Sequence, residues 1–299
     1  MRTLTLTSSI AIFTGLACGT VFGLPRLQAR LAKSLSEQPR SVRIDWPARE
    51  GAATGSDATW MPTEVRDELT ALVTGILDRD SDPFRVDSLT RISSALLETG
   101  WFEGIESVRR ERDANGQPLV HIAGTWRIPA AVVRYAGVDY LVSWDAHVLP
   151  IAYPQGTSNQ RAIVGVQKEP PRRAGEVVRG ETWPGDDVRA GLQVLAMISS
   201  RPWASQIAGV DIGEYENHRR LSLVTTRQSR IVWGGAPSDT IPGEVGASVK
   251  LARLDALAAR YEGKVDANER VVEIAGPVTL VDKSATAEAS AIVRPGAAR

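Results

Sequence analysis

The sequence predicts an α+β protein held to a membrane by one N-terminal spanning helix. Three observations lead there. Residues 4–24 (LTLTSSIAIFTGLACGTVFGL) carry no charged side chain; as a helix at about 1.5 Å per residue they extend roughly 32 Å, close to the hydrocarbon thickness of a bilayer. Apolar residues then recur at helical spacing in two successive segments. Alternating segments follow around an Asn-Gly pair, a strong signal for a hairpin turn.

The anchor admits three readings. A retained spanning helix is the first. A cleaved signal peptide is the second, because Ala17-Cys18-Gly19 fits a small-x-small cleavage site. A lipid anchor on Cys18 is the third. Arg2 precedes the run, whereas Arg26, Arg30 and Lys33 follow it. The positive-inside rule taken alone therefore puts the C-terminal side in the cytoplasm.

Residues 25–40 are polar and basic and read as a linker. Ser41 to Asp45 alternates, with Val42 and Ile44 on one face, which predicts a short strand. Residues 47–59 are rich in Gly, Ala, Ser and Asp and read as a loop. Pro62 opens a helix with Val65, Leu69, Leu72, Val73 and Ile76 on one stripe. Asp87 is placed to begin a second, with Leu89, Ile92, Leu96 and Leu97, and Gly100 ends it. Strands are predicted at 105–112 and 119–123, flanking Asn115-Gly116. This gives strand, helix, helix, strand, strand over residues 41–124.

Further strands are predicted at 126–135, 140–143 and 147–153. Residues 154–185 read as a Pro/Gly-rich solvated insertion. Helices are predicted at 186–198 and 248–260, a hairpin at 220–226 and 230–233, and a last strand at 270–274. The second domain thus spans 125–280 as a mixed β-sheet with helices, and 281–299 reads as a disordered tail. Trp101 and Trp203 open matching W-x-x-x-I-x-x-V segments, each between a helix and a strand. Of eight tryptophans, Trp101, Trp126, Trp203 and Trp233 are expected in the core, and Trp46 and Trp60 are interface candidates.

Composition narrows function by exclusion. Lys plus Arg total 35 and Asp plus Glu total 35, so there is no net basic field to neutralise nucleic-acid phosphates. A single cysteine, Cys18, allows no intrachain disulfide and no Cys-based metal site. His121, His147 and His218 form no metal pair at helix or hairpin spacing. Neither G-x-S-x-G nor a phosphate-binding G-x-x-x-x-G-K-[ST] loop occurs. Asp186-Asp187 precedes a predicted helix, where carboxylates meet free N–H groups and the positive end of the dipole. No catalytic residue, cofactor, metal or small-molecule substrate is expected.

Taken in order, these segments resemble the FtsQ/DivIB family of bacterial cell-division proteins. The likeness runs over residues 4–276. It is carried by SVRID at 41–45, Thr99-Gly100-Trp101-Phe102 through Ser107-Val108-Arg109-Arg110, and Arg127-Ile128-Pro129-Ala130-Ala131-Val132. It continues through Tyr140-Leu141-Val142, His147-Val148-Leu149-Pro150, Arg230-Ile231-Val232-Trp233-Gly234, Lys250-Leu251 with Leu254, and Val265-Asp266. Departures are Asp145-Ala146 at the usual Asp-x-Gly turn, a longer 154–185 segment, and Ala267-Asn268 where the family often has Arg-Tyr.

The resemblance implies a POTRA domain (βααββ) at 41–124 and a second β domain at 125–280. It implies a single-pass protein of the cytoplasmic (inner) membrane, anchored through residues 4–24, with its bulk in the periplasm or extracytoplasmic space. It implies a scaffold that recruits division proteins through the POTRA domain and binds small coiled-coil partners, FtsB and FtsL, through the second domain. The candidate contact is the late strand Arg270, Val271, Val272, Glu273 and Ile274, expected at a sheet edge where free N–H and C=O groups template a partner strand. A POTRA-bearing secretion or envelope-assembly component and an exported hydrolase are the alternatives.

Overall fold

The computed structural model describes residues 41–48, 59–79, 87–268 and 271–282. The expected anchor at 4–24, the linker at 25–40, Arg270 and all but two residues of the expected tail lie outside them. Among the described residues no helix is long and apolar enough to cross a membrane. The chain is mixed α/β and divides into two units, the first within residues 41–97 and 104–125, the second within 98–103 and 126–282.

The first unit holds β1 (Ser41–Ile44), α1 (Thr63–Asp78), α2 (Asp87–Glu98) and most of β2 (Phe102–Arg112) and β3 (Pro118–Trp126). Its sheet has the order β1-β3-β2. β1 runs parallel to β3, from Ser41 opposite Leu119 to Ile44 opposite Ile122. Parallel neighbours need a long crossover, and the two helices provide it. α1 starts directly after Pro62, where a missing N–H and a fixed φ suit a helix entrance. Its Val65, Leu69, Val73 and Leu77 are buried, as are Ile92 and Leu96 of α2 and Ile44, Val120 and Ile122 of the sheet. The β2–β3 turn closes where Gly116 N–H donates to Asp113 O (2.9 Å) and Asp113 Oδ1 accepts from Asn115 and Gln117 N–H. Trp46 and Trp60, expected at an interface, are half-buried and have interactions of their own.

The second unit is built on β4 (Pro129–Tyr135), β5 (Val138–Ser143), β6 (Val148–Pro154), β7 (Ala162–Val164), β10 (Ile207–Asp211), β11 (Leu221–Thr225), β12 (Arg230–Gly234), β13 (Val271–Glu273) and β14 (Leu280–Asp282). They form one nine-stranded sheet in the order β14-β13-β12-β11-β10-β7-β4-β5-β6. A two-residue pair, β8 (Arg172–Arg173) and β9 (Glu176–Val177), stands apart. The helices are α3 (Asp187–Ile198), the single turn α4 (Tyr215–His218) and α5 (Ala247–Arg260). α3 lies over β4, β7 and β10 and is buried on most of its surface, so it reads as apolar nearly all round. Trp183, Leu192, Leu195, Trp203, Ile231, Trp233, Leu254 and Val272 share one core. At about 1.5–3 kcal/mol per fully buried large apolar side chain, that cluster is the main source of stability.

Three expectations are corrected. Residues 154–185 are not simply a solvated insertion: Ala162–Val164 form β7, buried at the centre of the sheet, and Trp183 is fully buried. Three residues between Pro/Gly-rich flanks are too few to show a period, and only burial inside a parallel ladder explains their conformation. The tail does not begin at 281, because Val281 and Asp282 pair with β13. And the strand at 270–274 is no edge: β13 is flanked by β12 on one side, in parallel, and by β14 on the other, antiparallel. The residues after Ile274 turn back and cover it.

β7 joins the two halves of the sheet through parallel pairs with β10 and β4. At Gly209, beside a bulge in β10, an added Cβ would lie 1.9 Å from Ala162 O. A strand glycine at so close a backbone approach cannot be replaced without parting the strands. Gly209→Ala is therefore expected to cost more than about 4 kcal/mol, read as loss of the second unit's cooperative transition in urea denaturation.

Candidate partner-binding edge

A nine-stranded open sheet presents two outer strands, and here they are treated differently. β6 has Pro150 and Pro154, which remove backbone donors. A bulge disturbs its ladder with β5 between Tyr140 and Val142. Its first outward groups are consumed within the chain: Val148 N–H donates to Glu181 O (2.9 Å), and Gly180 N–H donates to Val148 O (2.7 Å). Trp183 anchors this covering segment, buried beside Tyr135 and Tyr140, with Nε1 donating to Lys168 O at 3.2 Å.

β14 lacks these devices. Ile274 N–H donates to Val232 O (3.1 Å), which turns the backbone groups of Val272 and Ile274 toward β12. Alternation then turns those of Val271 and Glu273 toward β14, where their register partners are Asp282 and Leu280. Val281, between them, directs its N–H and C=O away from β13. Its side chain packs on the core. Leu280 is 59% exposed and Val278, in the approach to the strand, 65% exposed. Val249 on α5 is exposed as well. Among the described residues this edge is free of proline and flanked by exposed Leu280 and Val278, a combination that makes it a candidate for strand addition.

Electrostatics hold this corner in place. Arg253 on α5 donates to Ile274 O (2.8 Å), to Gly276 O and to Pro277 O (2.7 Å), clamping the turn between β13 and β14. Val245 N–H donates to Ala275 O at 2.9 Å. Beneath the start of α5, buried Lys250 pairs with Glu244 at 2.8 Å and lies over the Trp233 ring, 5.4 Å from its centroid. The same carboxylate accepts from Gly235 N–H (3.0 Å). It occupies the space a side chain at Gly234 would need: φ is +89° there, and an added Cβ would meet Glu244 Oε2 at 2.4 Å. On β13, Glu273 faces Arg220 at 3.6 Å.

Among the described residues no group of three His, Cys, Asp or Glu side chains is placed to hold a metal ion. Asp145, His147 and Thr182 line up, with Nδ1 2.6 Å from Asp145 Oδ2 and Nε2 3.2 Å from Thr182 Oγ1. Ser143 Oγ also bonds Asp145. Yet Thr182 is tied to His147 by a backbone bridge in the segment covering β6, and the imidazole Nδ1 is poorly aimed at the carboxylate. The cluster pins a strap to a turn. Asp187 is buried, its pKa raised by burial, and its Oδ1 accepts from Val188 N–H at 2.9 Å, while Asp186 makes no capping bond.

The structure thus separates the five expected contact residues. Val271–Ile274 are interior to the sheet, Arg270 lies outside the described residues, and the outward backbone belongs to Val281. Residues 280–282 alternate only weakly (LVD) and precede an Ala/Ser-rich stretch, so Gly276-Pro277, a turn signal between two Val-containing segments, was the one hint of a closing hairpin. Compared with protein-family models and with curated proteins, the chain matches none.

The Arg253 clamp has a measurable consequence. Arg253→Ala removes donors to three carbonyls and is expected to raise hydrogen exchange over 280–282 about tenfold while exchange in α3 stays unchanged.

Proposed function

We propose that this chain is a non-catalytic, membrane-anchored scaffold of the FtsQ/DivIB type, with its bulk outside the cytoplasm, that binds other division proteins. The observation that carries the reading is the asymmetry of the nine-stranded sheet: one end blocked by prolines, a bulge and a covering strap, the other left with outward backbone groups at Val281 beside exposed Leu280 and Val278. A strand from a small coiled-coil partner of the FtsB or FtsL kind is the proposed occupant. The first unit supports the same reading as a POTRA domain, because its β-α-α-β-β order matches the plan that the resemblance implies. Residues 4–24 supply the proposed anchor.

The register makes the test specific. Val281→Pro deletes an outward N–H and leaves the β13–β14 bonds in place, since proline is tolerated where an edge N–H faces solvent. It is expected to weaken partner capture about tenfold or more, with the urea transition of the second unit retained. Val272→Pro is the contrasting variant: Val272 is fully buried and bonded within the sheet, so it should unfold the unit. Capture unaffected by Val281→Pro rejects the edge as the contact. A fluorescent fusion is expected at midcell, and uniform distribution along the envelope counts against a division role.

A further inference from the structure

The first unit carries a feature that the scaffold role does not use. His121 sits on the central strand β3 and reaches a carboxylate on each neighbouring strand. Nε2 lies 3.0 Å from Asp45 Oδ1, just beyond β1, and Nδ1 lies 3.2 Å from Glu111 Oε1 on β2. An ionised carboxylate only accepts hydrogen bonds, and a neutral imidazole donates only one. Both contacts are satisfied together only when the ring is imidazolium. On deprotonation one ring nitrogen turns a lone pair toward a carboxylate oxygen.

The site lies on the sheet face opposite the buried Ile44, Val120 and Ile122, so β1 and β2 are the elements bordering it. On β1 the charged groups are Asp45 and Arg43, the latter in register with His121 and exposed. On β2 they are Glu111 and Arg109, whose Nε is 3.8 Å from Glu111 Oε1. The ring itself is only 16% exposed.

We infer that His121 is a proton-operated clip that fastens β1 to the sheet of the first unit. β1 is the weak member. It has four residues, pairs among the described residues with β3 alone, and follows residues 1–40, through which any N-terminal tether would pull. β2 has eleven residues and a hairpin connection, so loss of one carboxylate bond loosens β1 first. A hydrogen bond to Asp45 raises the His121 pKa above its ordinary value; burial opposes this, and Glu111 adds to it. A raised folded-state pKa means the stabilisation is complete below the unfolded value of about 6.5 and is lost as pH climbs through the folded one.

The test uses the full chain with ring-labelled histidine, the three resonances being assigned through His147→Gln and His218→Gln. His121 is expected to titrate above about 6.5, and Asp45→Asn or Glu111→Gln to bring its midpoint down. Hydrogen exchange at the Asp45 amide, which donates to Ile122 O at 3.0 Å, corrected for intrinsic rate, should accelerate about fivefold across that midpoint. In His121→Gln the same rate should be flat with pH. The carboxylate variants give the readout should His121→Gln fail to fold. A midpoint at or below about 6.5, or Asp45 protection that ignores the titration, overturns the clip. Neither outcome bears on partner capture at Val281.

Discussion

Everything in the second unit depends on how closely two backbones meet at the middle of its sheet. β7 is three residues long, and among the described residues it alone bridges the β4–β6 hairpins and the β10–β14 half. Its parallel contact with β10 is possible because Gly209 has no side chain to collide with Ala162 O. With that contact made, nine strands become a single sheet over one core, and Trp183, Ile163, Leu195 and Trp233 are buried together. Without it, each half would have its own pair of edges, four in all. Continuity at the centre thus reduces the problem to two ends, and it is what gives the difference between those ends meaning.

Charged pairs inside this unit secure its loops. Asp139, 1% exposed, is bonded by Arg134 through both oxygens (2.7 and 2.9 Å) and by Gly156 N–H (2.8 Å), fixing the β6–β7 connection. Asp266 is buried likewise and accepts from Arg227 and from Ser229 Oγ, holding the segment before β13 against the β11–β12 turn. Asp211 pairs with Arg230 across the sheet. Each carboxylate is buried against arginine, whose planar fork suits bidentate contact. Breaking such a pair strands a charge, whereas replacing it wholesale can be neutral. These pairs are best understood as fixing which connection lies where. That is a requirement for a sheet in which β7 joins β10 and β4 out of chain order.

The parts legible in the sequence are those with local causes. α1 and α2 start and stop within a residue or two of where Pro62, Asp87 and the apolar stripes put them, and Asn115-Gly116 places the β2–β3 turn. Trp101, Trp126, Trp203 and Trp233 are buried as their junction positions suggest. The matched W-x-x-x-I-x-x-V segments part company after the tryptophan: Ile207 and Val210 are buried, while Ile105 and Val108 are half-exposed. What was illegible depends on distant partners. β7 is strand because β4 and β10 bracket it, and Pro/Gly-rich flanks hide that. The candidate edge was placed one strand too early for a similar reason. Val271–Ile274 has the stronger β pattern because it lies between two strands, and Leu280–Asp282 has the weaker one because, among the described residues, it pairs on one side only.

That inversion has a physical logic. A strand flanked on both sides is selected for burial, so its sequence advertises it: Val272 and Ile274 are both fully buried. The outermost described strand on this side is short and ends on an acidic residue, Asp282, features that oppose uncontrolled edge-to-edge pairing. Its conformation is supplied from outside, by the Arg253 clamp on the preceding turn and by pairing with β13. Held from behind in this way, Val281 directs its outward backbone groups to no described residue. The same economy is absent at β6, where Trp183 and the 180–182 segment spend the outward groups internally. Among the described residues the chain thus covers one end of its sheet with its own backbone and braces the other from behind, so the two ends are held by different interactions.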